Sequence, residues 1–236
     1  VVWACLAPLP YPHRFRAYGA ARAAASGDPL LSAASRMAVV EVRKIMRRLH
    51  VPADKRERTT YLAPFSRMLG KASHAAPLAV CAALVAQVEA YPNLADLAVD
   101  ALRYASPLTL DALTWTILDR LASSGRAKLK ADGLHIADWL ASLASFTGAA
   151  CLRYEGVDVG AIARYVTATL QECDPYDLLV LRELVGTMGG VTAVADVSEA
   201  QVAALGGGPT LVDLAVLSLT SAGAGAGAPG SAERAA

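Results

Sequence analysis

Side chains that carry catalytic or metal-binding chemistry are few and scattered in this sequence of 236 residues. The four histidines include no HExxH or other metal-ligand pair. The four cysteines lie far apart with no CxxC among them, so they have the spacing of neither a zinc site nor a disulfide framework. They are Cys5, Cys81, Cys151 and Cys173. We therefore expect free, mostly buried thiols in a protein from a reducing compartment.

Motifs that build an active site around a nucleophile or a nucleotide are missing from the sequence as well. There is no GxSxG, and no Walker-type or GxGxxG glycine loop follows a strand. Asp96 and Asp100 are one helical turn apart and could share a cation, although a solvated helix face also explains them. All-α metal enzymes use more converging carboxylates than these two. We expect a protein that is not an enzyme and that has no metal and no cofactor.

The strongest chemical feature is a concentration of positive charge between residues 36 and 58. Eight basic and three acidic residues give this segment a net charge of +5, in a chain whose net charge is +1. Such a surface can bind RNA phosphates or an acidic partner, or it can be a solvated helix face whose aliphatic stems cover apolar neighbours. The predicted RNA or partner contacts are Arg43, Lys44, Arg47, Arg48, Lys55, Arg56 and Arg58. Only two aromatic residues, Tyr61 and Phe65, are close enough in sequence to stack against bases.

Helices must position these residues, because apolar side chains recur at helical spacing along most of the chain. In one such helix, Cys81, Leu84, Val88 and Tyr91 mark a single face. Breaks at proline, asparagine and glycine separate successive helices by a few residues, which favours antiparallel hairpins. The predicted helices span about 32–50, 60–71, 77–91, 94–105, 110–121, 134–154, 162–170, 178–188 and 198–205.

The segment from Asp138 to Cys151 is the most informative of these helices. Trp139, Leu143 and Phe146 fall on one side of it, and the residues between them are mostly alanine and serine. Small residues let neighbouring helices approach closely, while the large ones fill the gaps. We predict that these three residues belong to the structural core. The helix is then the inner helix of a stacked array or an ordinary core helix of a compact bundle, since periodicity alone does not separate the two.

Composition divides the chain into three expected regions. Residues 1–30, rich in proline and glycine, indicate a connector with one short apolar segment followed by loop. Residues 31–218 are expected to form an α-helical array that belongs to a larger solenoid, and the Ala/Gly-rich residues 219–236 a disordered tail. The predicted fold class is all-α, with stacked antiparallel helical hairpins. No stretch contains the 18 uninterrupted apolar residues that a membrane helix requires.

Five segments, in this order and spacing, resemble the THO complex subunit 2 family, the large scaffold subunit of THO. The resemblance extends over roughly residues 10–210, with further similarity in YPHRFRAYG and SEAQVAALGGG. The five segments are EVRKIMRRLH, RMLGKASHAAPLAV, QVEAYPNLADLAVDALRYASPLTLDALTW, DWLASLASFTGAACLRY and YDLLVLRELVGTMGG.

This resemblance implies an α-solenoid that includes an MIF4G/HEAT-like region, located in the nucleus and without catalytic residues. It implies a scaffold segment of the THO/TREX complex, which supports mRNA processing and mRNA export. The implied partners are other THO subunits, a DEAD-box RNA helicase and mRNA in ribonucleoprotein form, with no membrane. The alternative is a direct RNA-binding helical module that uses the basic helix at 36–58. A third possibility, an all-α enzyme, would require substrate turnover to be found.

Overall fold

The computed structural model describes residues 1–49, 58–123 and 125–191, together with the single positions 198, 199, 206 and 213. Within residues 1–191, the described regular structure consists of ten α-helices, two 3₁₀ turns (Pro92–Leu94 and Leu102–Tyr104) and one isolated bridge between Leu129 and Ile136. The prediction of an all-α fold is confirmed for this part of the chain. The helices are α1 (Val2–Leu6), α2 (Tyr11–Gly27), α3 (Pro29–Met46), α4 (Arg58–Ala75), α5 (Pro77–Ala90), α6 (Ala95–Ala101), α7 (Pro107–Leu121), α8 (Asp138–Arg153), α9 (Val159–Gln171) and α10 (Leu178–Gly189).

Residues 11–27 correct one expectation, because they form helix α2 where the sequence indicated loop. The prolines that suggested a connector stand before the helix or in its first turn, where Pro12 removes no intrahelical hydrogen bond. The rest of α2 is rich in alanine, which has the highest helix propensity. The helix then packs against α3 and α7. The predicted helix at 198–205 and the tail at 219–236 lie outside the described residues, apart from two positions of that helix.

Side-chain caps fix where several helices begin. The Asp28 carboxylate accepts from the Leu30 backbone N–H at 2.7 Å, and Pro29 occupies the first turn of α3. Ser106 caps α7 in the same way, accepting from the Thr109 backbone N–H at 3.2 Å. Helix α3 therefore begins at residue 29 and ends at Met46, so part of the basic segment lies beyond its end.

The hydrophobic core is centred on α5, α7 and α8, which pack against one another. Leu143 and Phe146 of α8 are completely buried there. Trp139, predicted together with these two as a core residue, is only partly buried and packs at the edge of this core. Its indole N–H donates to the Ala127 carbonyl at 3.0 Å, and the Arg126 guanidinium lies 4.2 Å from the ring centroid. Trp139 thus joins the core to the preceding loop instead of filling the centre.

Helices α8 and α10 approach each other closely at Gly148. A Cβ atom built on Gly148 would lie 2.8 Å from Thr187 Oγ1 and 3.0 Å from the Glu183 carbonyl oxygen. Such distances are shorter than van der Waals contact, so only glycine fits without a shift. Gly148 therefore permits the close packing of α8 on α10.

The thiols divide evenly between interior and surface. Cys81 and Cys151 are buried, whereas Cys5 and Cys173 are exposed, and all four are free. The expectation of mostly buried thiols therefore holds for only two of them.

Candidate interaction surfaces

The cations of the basic segment separate onto two sides of α3. Successive residues of a helix point about 100° apart. Arg36, Lys44 and Arg48 line a groove between α3 and α4, whereas Arg43 and Arg47 line a groove between α3 and the end of α5. We call these the α3–α4 groove and the α3–α5 groove. These five cations, which appeared in the sequence as parts of one basic patch, therefore belong to two surfaces with different neighbours.

The α3–α4 groove combines exposed apolar side chains with a basic rim. Its volume is about 640 Å³, and Met37, Val40 and Met68 line it while remaining 74%, 47% and 41% exposed. Glu41 is the one acidic residue among the lining residues, against three basic ones. Exposed apolar side chains gathered in a charged groove are typical of a protein-binding surface.

The α3–α5 groove is smaller and more polar. Its volume is about 390 Å³, and it contains the two arginines, Tyr91 and the amide side chains of Gln87 and Asn93. No carboxylate is present among the residues described as lining it. Positive charge, hydrogen-bonding amides and an aromatic ring therefore meet in one place.

Tyr91 was predicted on the same helix face as Cys81, Leu84 and Val88, and the structure places it beyond the end of that helix. Cys81, Leu84 and Val88 are completely buried, but Tyr91 is 55% exposed. Helix α5 ends at Ala90, and Tyr91 has φ −135° and ψ 89°, so it has left the helical spiral. The proline at position 92 explains this break, because the residue before a proline disfavours helical conformation.

The remaining predicted contact residues do not join these two grooves. Lys55 and Arg56 lie outside the described residues. Arg58 begins α4, and its Nε lies 2.7 Å from Asp100 Oδ2. It lines a third groove, of about 520 Å³, together with Arg103 and Arg153. Because Asp96 and Asp100 also line this groove, its positive charge is largely compensated.

The two aromatic residues near the basic segment have structural positions. Tyr61 Oη donates to the Arg48 carbonyl at 2.6 Å, and its ring lies 5.3 Å from that of Phe65. This contact holds the end of α3 against α4. The sequence gives no indication that Tyr91 lies near the basic segment. It is far from that segment along the chain, and it lines the same groove as Arg43 because α3 packs against α5.

Buried charged residues elsewhere form ion pairs that join elements. Glu89 is 8% exposed, receives two hydrogen bonds from Arg120, and receives one from Arg126 at 2.7 Å. Lys128 bridges Asp174 and Asp177, at 2.6 and 2.8 Å. The hydrogen bond from Lys128 lowers the pKa of Asp174. These carboxylates are neutralised by partners, which is the arrangement of a structural ion pair.

Burial and hydrogen bonding perturb two tyrosines of the same networks. Burial raises the pKa of Tyr165, and its hydrogen bond to Asp177 at 2.9 Å raises that pKa further. The pKa of Tyr18 is raised in the same way, by burial and by its hydrogen bond to Asp111. Both hydroxyls therefore act as stable donors to a carboxylate.

The described residues contain no group of three or more His, Cys, Asp or Glu side chains that could hold a metal ion. Among the helices that the structure describes, none is long and apolar enough to cross a membrane.

Comparisons with known proteins identify related sequences. A family model described as "Transcription- and export-related complex subunit" matches residues 69–144. THO complex subunit 2 of Arabidopsis thaliana is 36% identical over 210 residues, which is 89% of this chain and 11% of that protein. THO complex subunit 2 of Homo sapiens is 32% identical over 211 residues, which is 89% of this chain and 13% of that protein. The Saccharomyces cerevisiae protein of the same name is 26% identical over 204 residues, 86% of this chain and 12% of that protein. The chain therefore spans about an eighth of the length of these relatives.

Proposed function

The chain belongs to the THO complex subunit 2 family, and from this membership we propose that it is a non-enzymatic scaffold segment of the nuclear THO/TREX complex. In this function it holds other THO subunits and a DEAD-box RNA helicase in place. The assembly of messenger ribonucleoprotein and mRNA export depend on these contacts. ATP hydrolysis belongs to the helicase, and the chain supplies binding surfaces.

The observation that supports the scaffold function is the α3–α4 groove. An exposed apolar floor costs free energy in water unless a partner covers it. Met37 is the most exposed of the floor residues, and methionine adapts its shape to different partner surfaces. Arg36 and Lys44 flank the floor.

The groove fits an acidic amphipathic helix of a protein partner. Such a helix would place its apolar face on Met37, Val40 and Met68 and its carboxylates beside the basic rim. RNA fits less well, because Phe65 is the one aromatic ring among the described lining residues, and it is partly buried, so bases have little surface to stack on. Charge complementarity of this kind increases the association rate and selects the partner.

Affinity capture from nuclear extract tests this function directly. The full 236-residue chain is immobilised, and THO subunits and the DEAD-box helicase are quantified by mass spectrometry. The wild-type chain is expected to recover both. The double variant Arg36→Glu/Lys44→Glu should recover about tenfold less of whichever protein docks in the groove, a THO subunit or the helicase. The reason is that reversed rim charges repel an acidic partner.

The matched control reverses the same number of charges on the other side of the same helix. Arg43→Glu/Arg47→Glu should leave the recovery of both proteins unchanged. Recovery of neither by the wild-type chain contradicts the scaffold function. Equal losses in the two double variants contradict the α3–α4 groove as the docking surface.

A further inference from the structure

We propose that the α3–α5 groove binds one nucleotide of a single-stranded nucleic acid, with a base stacked on Tyr91 and phosphates beside Arg43 and Arg47. This binding activity goes beyond the scaffold function and does not depend on it. It uses cations of the basic segment that face away from the α3–α4 groove.

The two arginines are available to bind an anion. Arg43 and Arg47 are exposed and one helical turn apart, so their side chains are neighbours on one face. Neither is joined to a carboxylate by any ion pair among the residues that the structure describes. A guanidinium matches the geometry of a phosphate group through paired N–H donors. Among the described lining residues, the groove therefore has two guanidinium groups that can bind phosphate and no carboxylate to oppose them.

Tyr91 supplies a stacking surface beside these cations. Its ring is 55% exposed and makes no ring–ring or cation–π contact among the described residues. Its backbone is fixed all the same, because its N–H donates to the Gln87 carbonyl at 3.0 Å and Pro92 follows. An exposed ring on an anchored backbone loses little conformational freedom when a base stacks on it. Aromatic rings that stack bases in this way are the common feature of proteins that bind single strands.

The rest of the groove suits the edge and size of a base. The amides of Gln87 and Asn93 can donate and accept hydrogen bonds, and base edges present both kinds of group. The buried side chains of Met46 and Leu49 form an apolar floor. The volume of about 390 Å³ is in the range of small-molecule pockets. An acidic helix fits less well here, because the groove lacks the exposed apolar row of the α3–α4 groove.

Fluorescence anisotropy with the full chain and a labelled uridine RNA of about 12 nucleotides tests the site at about 50 mM salt. Tyr91→Ala should weaken binding roughly 5- to 150-fold, which corresponds to the loss of one stacked base. Tyr91→Phe keeps a ring and should bind within about twofold of the wild-type chain. Arg43→Glu/Arg47→Glu should weaken binding and also flatten the dependence of log affinity on log salt by about 1.4, because two phosphate contacts are lost.

The control is Arg36→Glu/Lys44→Glu, which makes the same change of charge on the same helix. It should bind the RNA much more tightly than the Arg43/Arg47 double variant does. Equal loss in both double variants, or full affinity in Tyr91→Ala, would overturn the site. So would displacement of the RNA by polyglutamate, which has charge but no ring to stack.

A DNA strand that competes equally supports a site for base and phosphate, and weaker competition supports one that also contacts the 2′-hydroxyl. Circular dichroism confirms that each variant is folded.

The two proposals can fail separately. Loss of RNA affinity in the Arg43/Arg47 variant, with normal capture of THO subunits, supports the nucleotide site whatever the outcome for the α3–α4 groove. Absence of measurable RNA affinity in the wild-type chain overturns the nucleotide site and leaves the scaffold function untouched.

Discussion

Tyr18 of α2 and Asp111 of α7 are 93 positions apart in the sequence and are joined by a buried hydrogen bond of 2.6 Å. Arg14, one turn earlier in α2, donates to both oxygens of the same carboxylate at 2.8 Å. Asp111 is 2% exposed and Tyr18 is 5% exposed. Because a buried carboxylate is costly without partners, these contacts fix the position of α2 on α7.

Removal of the Tyr18 hydroxyl is expected to destabilise the fold. The Tyr18→Phe variant keeps the ring but leaves Asp111 with one donor residue fewer, at a cost of about 1–3 kcal/mol. Urea unfolding followed by circular dichroism measures this loss. Tyr91→Phe is the matched control, and it should change the free energy of unfolding by less than about 0.5 kcal/mol because Tyr91 is exposed. Equal stability of Tyr18→Phe and the wild-type chain would contradict a stabilising hydrogen bond.

The raised pKa of Tyr18 predicts a loss of stability at alkaline pH. Burial is the main cause of this shift, and the hydrogen bond to Asp111 adds to it. In the unfolded chain the phenol ionises near pH 10, whereas in the folded chain it keeps its proton to higher pH. The unfolded state therefore binds fewer protons above about pH 10, and the free energy of unfolding falls as pH rises. Tyr18→Phe should show a shallower fall between about pH 9 and 11, and identical slopes would contradict this assignment.

Gly148 is expected to resist replacement by alanine although it lies inside a helix. Helix propensity alone favours alanine by about 1 kcal/mol. At Gly148 the added Cβ would press on Thr187 and on the Glu183 carbonyl, so Gly148→Ala should cost about 1–3 kcal/mol overall.

Gly19 provides the control for this substitution, because a Cβ built there meets nothing within 4 Å. Gly19 lies inside α2, so Gly19→Ala should raise the free energy of unfolding by about 0.5–1 kcal/mol. Opposite signs in thermal unfolding of the two variants are the expected result. Stabilisation by Gly148→Ala would show that α8 and α10 can separate without cost.

Alanine substitutions of Trp139 and of Phe146 should differ in their cost in folding free energy and in their effect on proteolysis. Phe146 is completely buried, so Phe146→Ala should cost about 3–5 kcal/mol. Trp139 is partly exposed and contacts the loop at Arg126 and Ala127, so Trp139→Ala should cost about 1–3 kcal/mol. Trp139→Ala should also speed tryptic cleavage within residues 125–137 of the folded chain, because the loop loses its contact with the core. Phe146→Ala should speed cleavage only through global unfolding. Faster cleavage elsewhere at the same time would contradict a local function of Trp139.

The sequence predicted features that depend on local periodicity. The 3.6-residue repeat is a property of neighbouring residues, so most helices and the burial of Leu143 and Phe146 followed from it. Helix α2 was not predicted, because the prolines and glycines of residues 1–30 outweighed its alanines, although Pro12 stands in the first turn, where a helix tolerates proline.

The surfaces along α3 could not be predicted in the same way. Which side of α3 faces α4 and which faces α5 depends on how non-adjacent helices pack, and the spacing of the arginines does not contain that information. The meeting of Arg43 with Tyr91 requires α3 to pack on α5 and α5 to end one residue before Tyr91. The packing of α3 on α5 is a tertiary feature. The end of α5 before Tyr91 is a local effect of Pro92.

Thiol reactivity should separate the four cysteines into two classes. The thiolate is the reactive form, and burial raises the pKa of Cys81 and of Cys151 to about 12. Cys5 and Cys173 are exposed. With Ellman's reagent at about pH 8, two thiols of the folded chain should react quickly, and all four should react in denaturant. The double variant Cys5→Ser/Cys173→Ser should show no fast phase when folded and two reactive thiols when unfolded. A third fast thiol in the folded wild-type chain would contradict this division. It would mean that Cys81 or Cys151 becomes exposed to solvent far more often than a residue of the packed core does.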